Sequence, residues 1–170
     1  MKGDLHTLKR VCEYGSKAML IGEAVIGIVL LAAVIMAFGS FASDILADAL
    51  DAVFGVGVPD DVASAARVAE IVLILALALV TVWTVYRLMV SIRDEHSPFT
   101  EENTRAIIRL SKIYFVCALA LGVLAAVASG SVAETLFMFF GCILASVTLY
   151  CYALTVRYGS VLQDESDHTL

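Results

Sequence analysis

Apolar residues occupy this chain in four long blocks, and short charged brackets between them carry nearly all of the polarity. The first block runs from about Ala18 to Ser43, between Lys17 and Asp44, and holds a single charge, Glu23. The second lies between Arg67 and Arg87, with Glu70 close to its start. The third lies between Lys112 and Glu134 and the fourth between Glu134 and Arg157, both without an internal charge. Each is close to or above the roughly 20 residues that a helix needs to cross a hydrocarbon core. Lipid supplies no water to satisfy backbone N–H and C=O groups, so the blocks predict helices rather than strands. The expected fold is all-α, an integral membrane four-helix bundle forming one domain over 1–170. Its spans are expected at about 18–43, 68–86, 113–133 and 135–156, with a cytosolic tail at 157–170. The first block exceeds the roughly 7–15 apolar residues of a signal-peptide core, so it reads as an uncleaved span.

The connections carry patterns of their own. From Ser43 to Phe54, Asp44, Asp48 and Asp51 fall on one helical face while Leu46, Leu50, Val53 and Phe54 fall on another. This predicts an amphipathic helix on the outer membrane surface, ended by Gly55, Gly57 and Pro59, with Asp60 or Asp61 capping the next span. The connection at Ser129 to Ser131 predicts a tight turn. Leu5, Leu8, Val11, Cys12 and Met19 recur at helical spacing and predict an interfacial helix feeding the first span. In the central connection, Pro98 disfavours helix for the residue before it, and Thr100 is a good N-cap. Glu101 and Glu102 then lie where the positive end of a helix dipole favours them, so the third long helix is expected to begin near Glu101.

Composition agrees with a membrane protein. The chain has 170 residues, 61% hydrophobic and 16% charged, with a mean hydropathy of +0.91, against about 45–50% apolar and about 25% charged in soluble domains. Seventeen carboxylates outnumber eleven Lys and Arg, which argues against direct nucleic-acid binding. Ten of the eleven basic residues flank the termini and the central connection, and only Arg67 falls on the other side. That bias predicts a multi-pass protein of the cell membrane with both termini in the cytoplasm.

Catalytic patterns are scarce. Cys12, Cys117, Cys142 and Cys151 form no CxxC, and the three histidines lack a metal-binding partner pattern. No phosphate loop, dinucleotide fingerprint or nucleophile elbow occurs, so neither an enzyme nor a cofactor is expected. The acidic outer face lacks the ligand pattern of a calcium loop. Glu23 is the one charge deep in a span, and it should face the protein interior, pair with a cation or become protonated. Arg87, Lys112 and Arg157 end spans on its side and are its candidate partners. Glu70 is expected to reach the outer surface beside Arg67. Small residues mark helix contacts in lipid: Ala118, Gly122 and Ala126, then Gly141 and Ala145, then Gly22 and Gly27. They predict packing within the bundle, or a homodimer through one stripe.

Ser97-Pro98-Phe99-Thr100-Glu101-Glu102-Asn103 ahead of a basic helix resembles the central signature of domain-of-unknown-function family 2975. The closing Gly159-x-x-Leu162-Gln163-x-Glu165-x-Asp167-x-Thr169-Leu170 is similar to that family's C-terminal signature, and the four-span layout matches it too. The acidic outer connection departs from the family pattern. The resemblance implies a small prokaryotic integral membrane protein without an established activity. It further implies a membrane partner for a cytosolic helix-turn-helix transcription regulator. The expected partner-binding surface is cytosolic and joins Pro98, Phe99, Thr100, Arg105 and Arg109 to Leu162, Gln163, Glu165, Asp167 and Thr169. Acidic tail residues Asp164, Glu165 and Asp167 are expected to dock on Arg93, Arg105 and Arg109. Two alternatives stand beside a regulatory or sensory role: a small proton-coupled transporter or ion pathway using Glu23, and a structural or oligomerising membrane protein.

Overall fold

Once a helix is nucleated, each further residue adds a hydrogen bond at little cost, so the four apolar blocks fold as helices that overrun their predicted limits into the polar flanks. The computed structural model describes the backbone of residues 2–56, 58–95 and 99–168, and their side chains except those of 2–9, 95, 163, 164 and 166–168. Among the described residues there are five α-helices and no strand: α1 (Lys2–Gly39), α2 (Asp44–Phe54), α3 (Val62–Glu95), α4 (Glu101–Ser129) and α5 (Val132–His168). Four of them are long and apolar enough to cross a membrane. The chain is thus an all-α, four-helix membrane bundle with one short additional helix. The expected feeder helix is not separate, because α1 runs unbroken from Lys2 and ends at Gly39 rather than at Ser43.

Local signals explain the ends. Thr100 Oγ1 accepts the Asn103 N–H at 3.2 Å and starts α4 at Glu101. Asp61 Oδ1 accepts the Ser64 N–H and hydroxyl, both at 2.7 Å, and so caps α3. These bonds hold the Asp61 carboxyl below its ordinary range. Gly55 closes α2 and Gly130 closes α4 in the left-handed region, at φ of 65° and 62°, which glycine enters without a Cβ penalty.

The long helices stand antiparallel in the spatial order α1, α3, α4, α5, and α1 and α5 are not neighbours. Both termini and the α3–α4 connection share one end, called basal here, while α2 and the α4–α5 turn share the other. Gly15 admits Met89 and Gly27 faces Leu79 along the α1–α3 seam. Tyr114 and Thr81 share a 3.0 Å hydrogen bond between α3 and α4. At the α4–α5 seam the small stripe is Ala118, Gly122 and Ala125 rather than Ala126, which is exposed. A Cβ at Gly122 would meet Phe139 of α5 at 3.4 Å. That stripe is therefore consumed inside the bundle and is not free for a dimer. At the basal end Ile107, Ala153 and Val156 form a buried cluster, closed by Leu88 of α3.

Polar groups lock the α4–α5 seam just above this cluster. Ser111 Oγ donates to the Ser146 carbonyl at 2.9 Å, and Ser146 Oγ donates to the Ser111 carbonyl at 2.8 Å. Such bonds inside membrane bundles average about 0.6 kcal/mol and reach about 1.7 kcal/mol. Ser111→Ala and Ser146→Ala should each destabilise the protein by about that average. The double variant should lose less than the sum, because both bonds close one seam. Unfolding in mixed micelles, followed by the fluorescence of the lone Trp83, measures both.

The amphipathic segment forms α2 as expected, but its packing differs at Val53. Ala47 and Leu50 are buried, and Leu50 and Phe54 line a small void together with Ala33 of α1 and Val68, Ile71 and Val72 of α3. Leu46 sits so close to Gly39 that a Cβ there would overlap it. Val53 and Ile45 point away and are exposed. The 39–46 contact fixes the rotation of α2 and selects which apolar residues it buries.

Candidate partner-binding surface and buried carboxylates

The basal end is built around the segment that follows Pro98. Beyond the Thr100 cap, Asn103 is buried and its Nδ2 donates to Ser91 Oγ of α3 at 3.1 Å. Thr104 Oγ1 donates back to the Thr100 carbonyl at 3.2 Å. Arg87 of α3 donates to Glu102 Oε1 at 2.7 Å, an exposed pair that bridges the connection. The Phe99 ring lies directly against Gly159 of α5, where any Cβ would overlap it. One short segment thus touches α3 and α5 at once. Beside it, Tyr86, Arg87, Ser91, Glu102 and Asn103 line a cleft of about 360 Å³ between α3 and α4.

Among the described residues, Arg93 and Arg105 pair with acids of their own helices rather than with the tail's Glu165, and the side chains of Asp164 and Asp167 lie outside the described residues. Arg93 pairs with its neighbour Asp94 at 2.8 Å, and Arg105 pairs with Glu101 at 2.6 Å. Pairs one or four residues apart order little extra chain, whereas folding a tail back would order a whole segment for contacts worth only about 0–1 kcal/mol each. The tail is instead a continuation of α5 to His168, which at about 1.5 Å per residue projects it about 17 Å beyond Arg157. Leu162 and Glu165 are exposed on this extension. Gln163 and Asp167 belong to α5, but their side chains lie outside the described residues, as do Pro98 and Thr169 altogether. Arg109 is exposed on α4 and makes no ion pair among the described residues.

The two carboxylates within the spans behave differently from expectation. Glu23 is half-buried in α1, and its Oε2 is buried without a hydrogen-bond partner. None of Arg87, Lys112 and Arg157 pairs with it; Arg87 is taken by Glu102. Lys112 and Arg157 belong to α4 and α5, which α3 separates from α1, so neither helix packs on the one that carries Glu23.

Glu70 is not at the surface. It is 1% exposed, with Oε2 accepting from Arg67 at 2.9 Å and Oε1 buried without a partner. Arg67 also donates to both carboxylate oxygens of Glu134 in the first turn of α5. The resulting Glu70–Arg67–Glu134 cluster joins α3 to α5 at the α2 end, although α4 separates them. Reading Glu70 by its nearness to Arg67 overlooked its angular position. It shares a stripe with Ala66, Leu77 and Thr84, all buried, at spacings of four and seven residues that put them on one face. That periodicity was the signal available in the sequence.

Among the described residues all four cysteines are free, and no group of three or more His, Cys, Asp and Glu is placed to hold a metal. What the arrangement offers chemically is a fixed basal surface and two acids inside the spans. Compared with protein-family models, curated proteins and solved structures, the chain matches none of them.

Proposed function

We propose that this chain is a membrane-resident regulatory protein whose basal end faces the cytoplasm and holds a soluble partner. The observation that carries the reading is the docking of residues 99–103 across α3 and α5, through Phe99 on Gly159 and Asn103 on Ser91. A connection held in this way presents a shaped surface, with the α3–α4 cleft on one side and the α5 extension rising beside it. Ten of eleven basic residues flank this end, which supports its cytoplasmic placement. The resemblance of the 97–103 and 159–170 segments to family 2975 supplies the partner class, a helix-turn-helix regulator. The chain recruits such a regulator and makes no direct contact with nucleic acid.

Affinity capture from detergent tests the proposal with three forms: the intact chain, a chain lacking Gln163 to Leu170, and Phe99→Ala. The intact chain should retain a cytosolic helix-turn-helix protein, and both variants should lose it while inserting normally. Retention of every partner by both variants would leave the basal surface purely structural.

A second reading, proton-coupled transport, is favoured by one observation, the unpartnered buried oxygen of Glu23. An ionisable side chain without a cation in a span marks a candidate ion path. Proton flux into proteoliposomes that disappears in Glu23→Gln would put this reading in place of the regulatory one.

A further inference from the structure

We infer that the outward face of α4 carries a binding site for one anionic phospholipid, with its phosphate on Arg109 and Lys112 and an acyl chain along Val116, Leu119 and Val123. These five residues follow one another at alternating steps of three and four, which places them on a single helical face. All five are exposed, because α4 turns Ile107, Ser111, Ala118, Gly122 and Ala125 inward. The face is therefore free of the bundle along its whole length.

Depth identifies the occupant. From Ser129, the last residue of α4, Lys112 lies about 26 Å and Arg109 about 30 Å back along the axis, at about 1.5 Å per residue. A hydrocarbon core is about 30 Å thick, so both cations sit at its basal boundary, level with lipid phosphates. The apolar part of the stripe begins one turn further in, where a water-soluble partner cannot reach it and an acyl chain must lie.

Charge points the same way. Among the described residues, Lys17 has Glu13, Arg87 has Glu102, Arg93 has Asp94 and Arg105 has Glu101, whereas Arg10 and Arg157 stand singly on other helices and only Arg109 and Lys112 form an adjacent pair on one face. Arg109 and Lys112 have no ion-pair partner there. No Asp or Glu occurs between Glu102 and Glu134, nor between Glu134 and Asp164, so neither α4 nor α5 supplies an acid at this level. Two adjacent cations at the phosphate plane, above an exposed apolar stripe, complement a headgroup of negative charge. Each such cation favours an anionic over a neutral lipid by about fivefold, so the pair is worth about twenty-fivefold.

The test uses the full chain in nanodiscs of mixed phosphatidylglycerol and phosphatidylcholine, extracted gently and weighed by native mass spectrometry. The intact protein should retain phosphatidylglycerol in preference to phosphatidylcholine. The preference should fall about twenty-fivefold in Arg109→Gln/Lys112→Gln and survive in Arg109→Lys/Lys112→Arg, which keeps both charges. Arg157→Gln, a cation on a different helix, should leave it unchanged. An equal preference in the intact and doubly neutralised proteins would overturn the site. So would displacement of the lipid by inorganic phosphate alone, which would mean that the apolar stripe contributes nothing. A neutralised protein that keeps its lipid but loses a captured soluble protein would assign the two cations to the partner surface instead. Because α4's outward face is separate from Phe99 and Gly159, failure here leaves the regulatory reading standing.

Discussion

Replacing Arg67 by methionine should destabilise the bundle by about 3–5 kcal/mol, the usual cost of removing one partner from a buried ion pair. Glu70 is 1% exposed and already has one oxygen without a partner. Without Arg67, its remaining oxygen would be stranded as well. The leg to Glu134 should matter far less. Both Arg67 and Glu134 keep about a third of their side-chain surface in contact with solvent, where an ion pair is worth only about 0–1 kcal/mol. Glu134→Gln should therefore cost no more than about 1 kcal/mol. The double variant Arg67→Met/Glu70→Met should recover most of the loss, since an apolar pair of similar volume is often as stable as the ion pair it replaces. Micelle unfolding monitored through Trp83 reports all three. A loss below about 1 kcal/mol in Arg67→Met would mean that Glu70 is carried as the neutral acid, which needs no cation.

Gly159→Ala should cost about 1–3 kcal/mol, the range for forcing an extra carbon into a filled contact. The new Cβ would occupy the place of the Phe99 ring, so the ring must swing off α5 and the connection loses its anchor there. Phe99→Ala removes the obstacle. In that background Gly159→Ala should be nearly neutral, giving a coupling energy close to the single-variant cost. The same pair of variants bears on function, because both undock the basal surface without touching the spans. Additive effects in the double variant would show that Phe99 and Gly159 do not act as one contact.

The four long helices were legible in the sequence because each contrast involved was local. Lipid forbids unsatisfied backbone, and uninterrupted apolar blocks bounded by charge then admit one conformation. The same holds for Thr100 at the start of α4, for a cap at Asp60 or Asp61 ahead of α3, for Gly55 at the end of α2 and for the turn at Ser129 to Ser131 after α4. In each, a side chain or a missing Cβ acts within four residues of itself. The parity of the spans, with both termini and the central connection at one end, follows from counting alone.

Only the tertiary structure decided which faces meet. The antiparallel row α1, α3, α4, α5 makes α3 and α4 the inner helices, and the α4–α5 seam consumes Ala118, Gly122 and Ala125 while sparing the Arg109–Lys112 face. It also set the fate of the charges. Glu23 found none of its three expected cations, and Glu70 turned inward to share Arg67 with a residue 64 positions away in sequence, Glu134. Arg93 and Arg105 pair with Asp94 and Glu101 of their own helices, and the tail runs on as α5 to His168. Backbone hydrogen bonding and hydrophobicity act within a few residues and are written locally. An ion pair or a ring on a glycine depends on the rotation of two helices about their axes, which is fixed only when all the seams pack together.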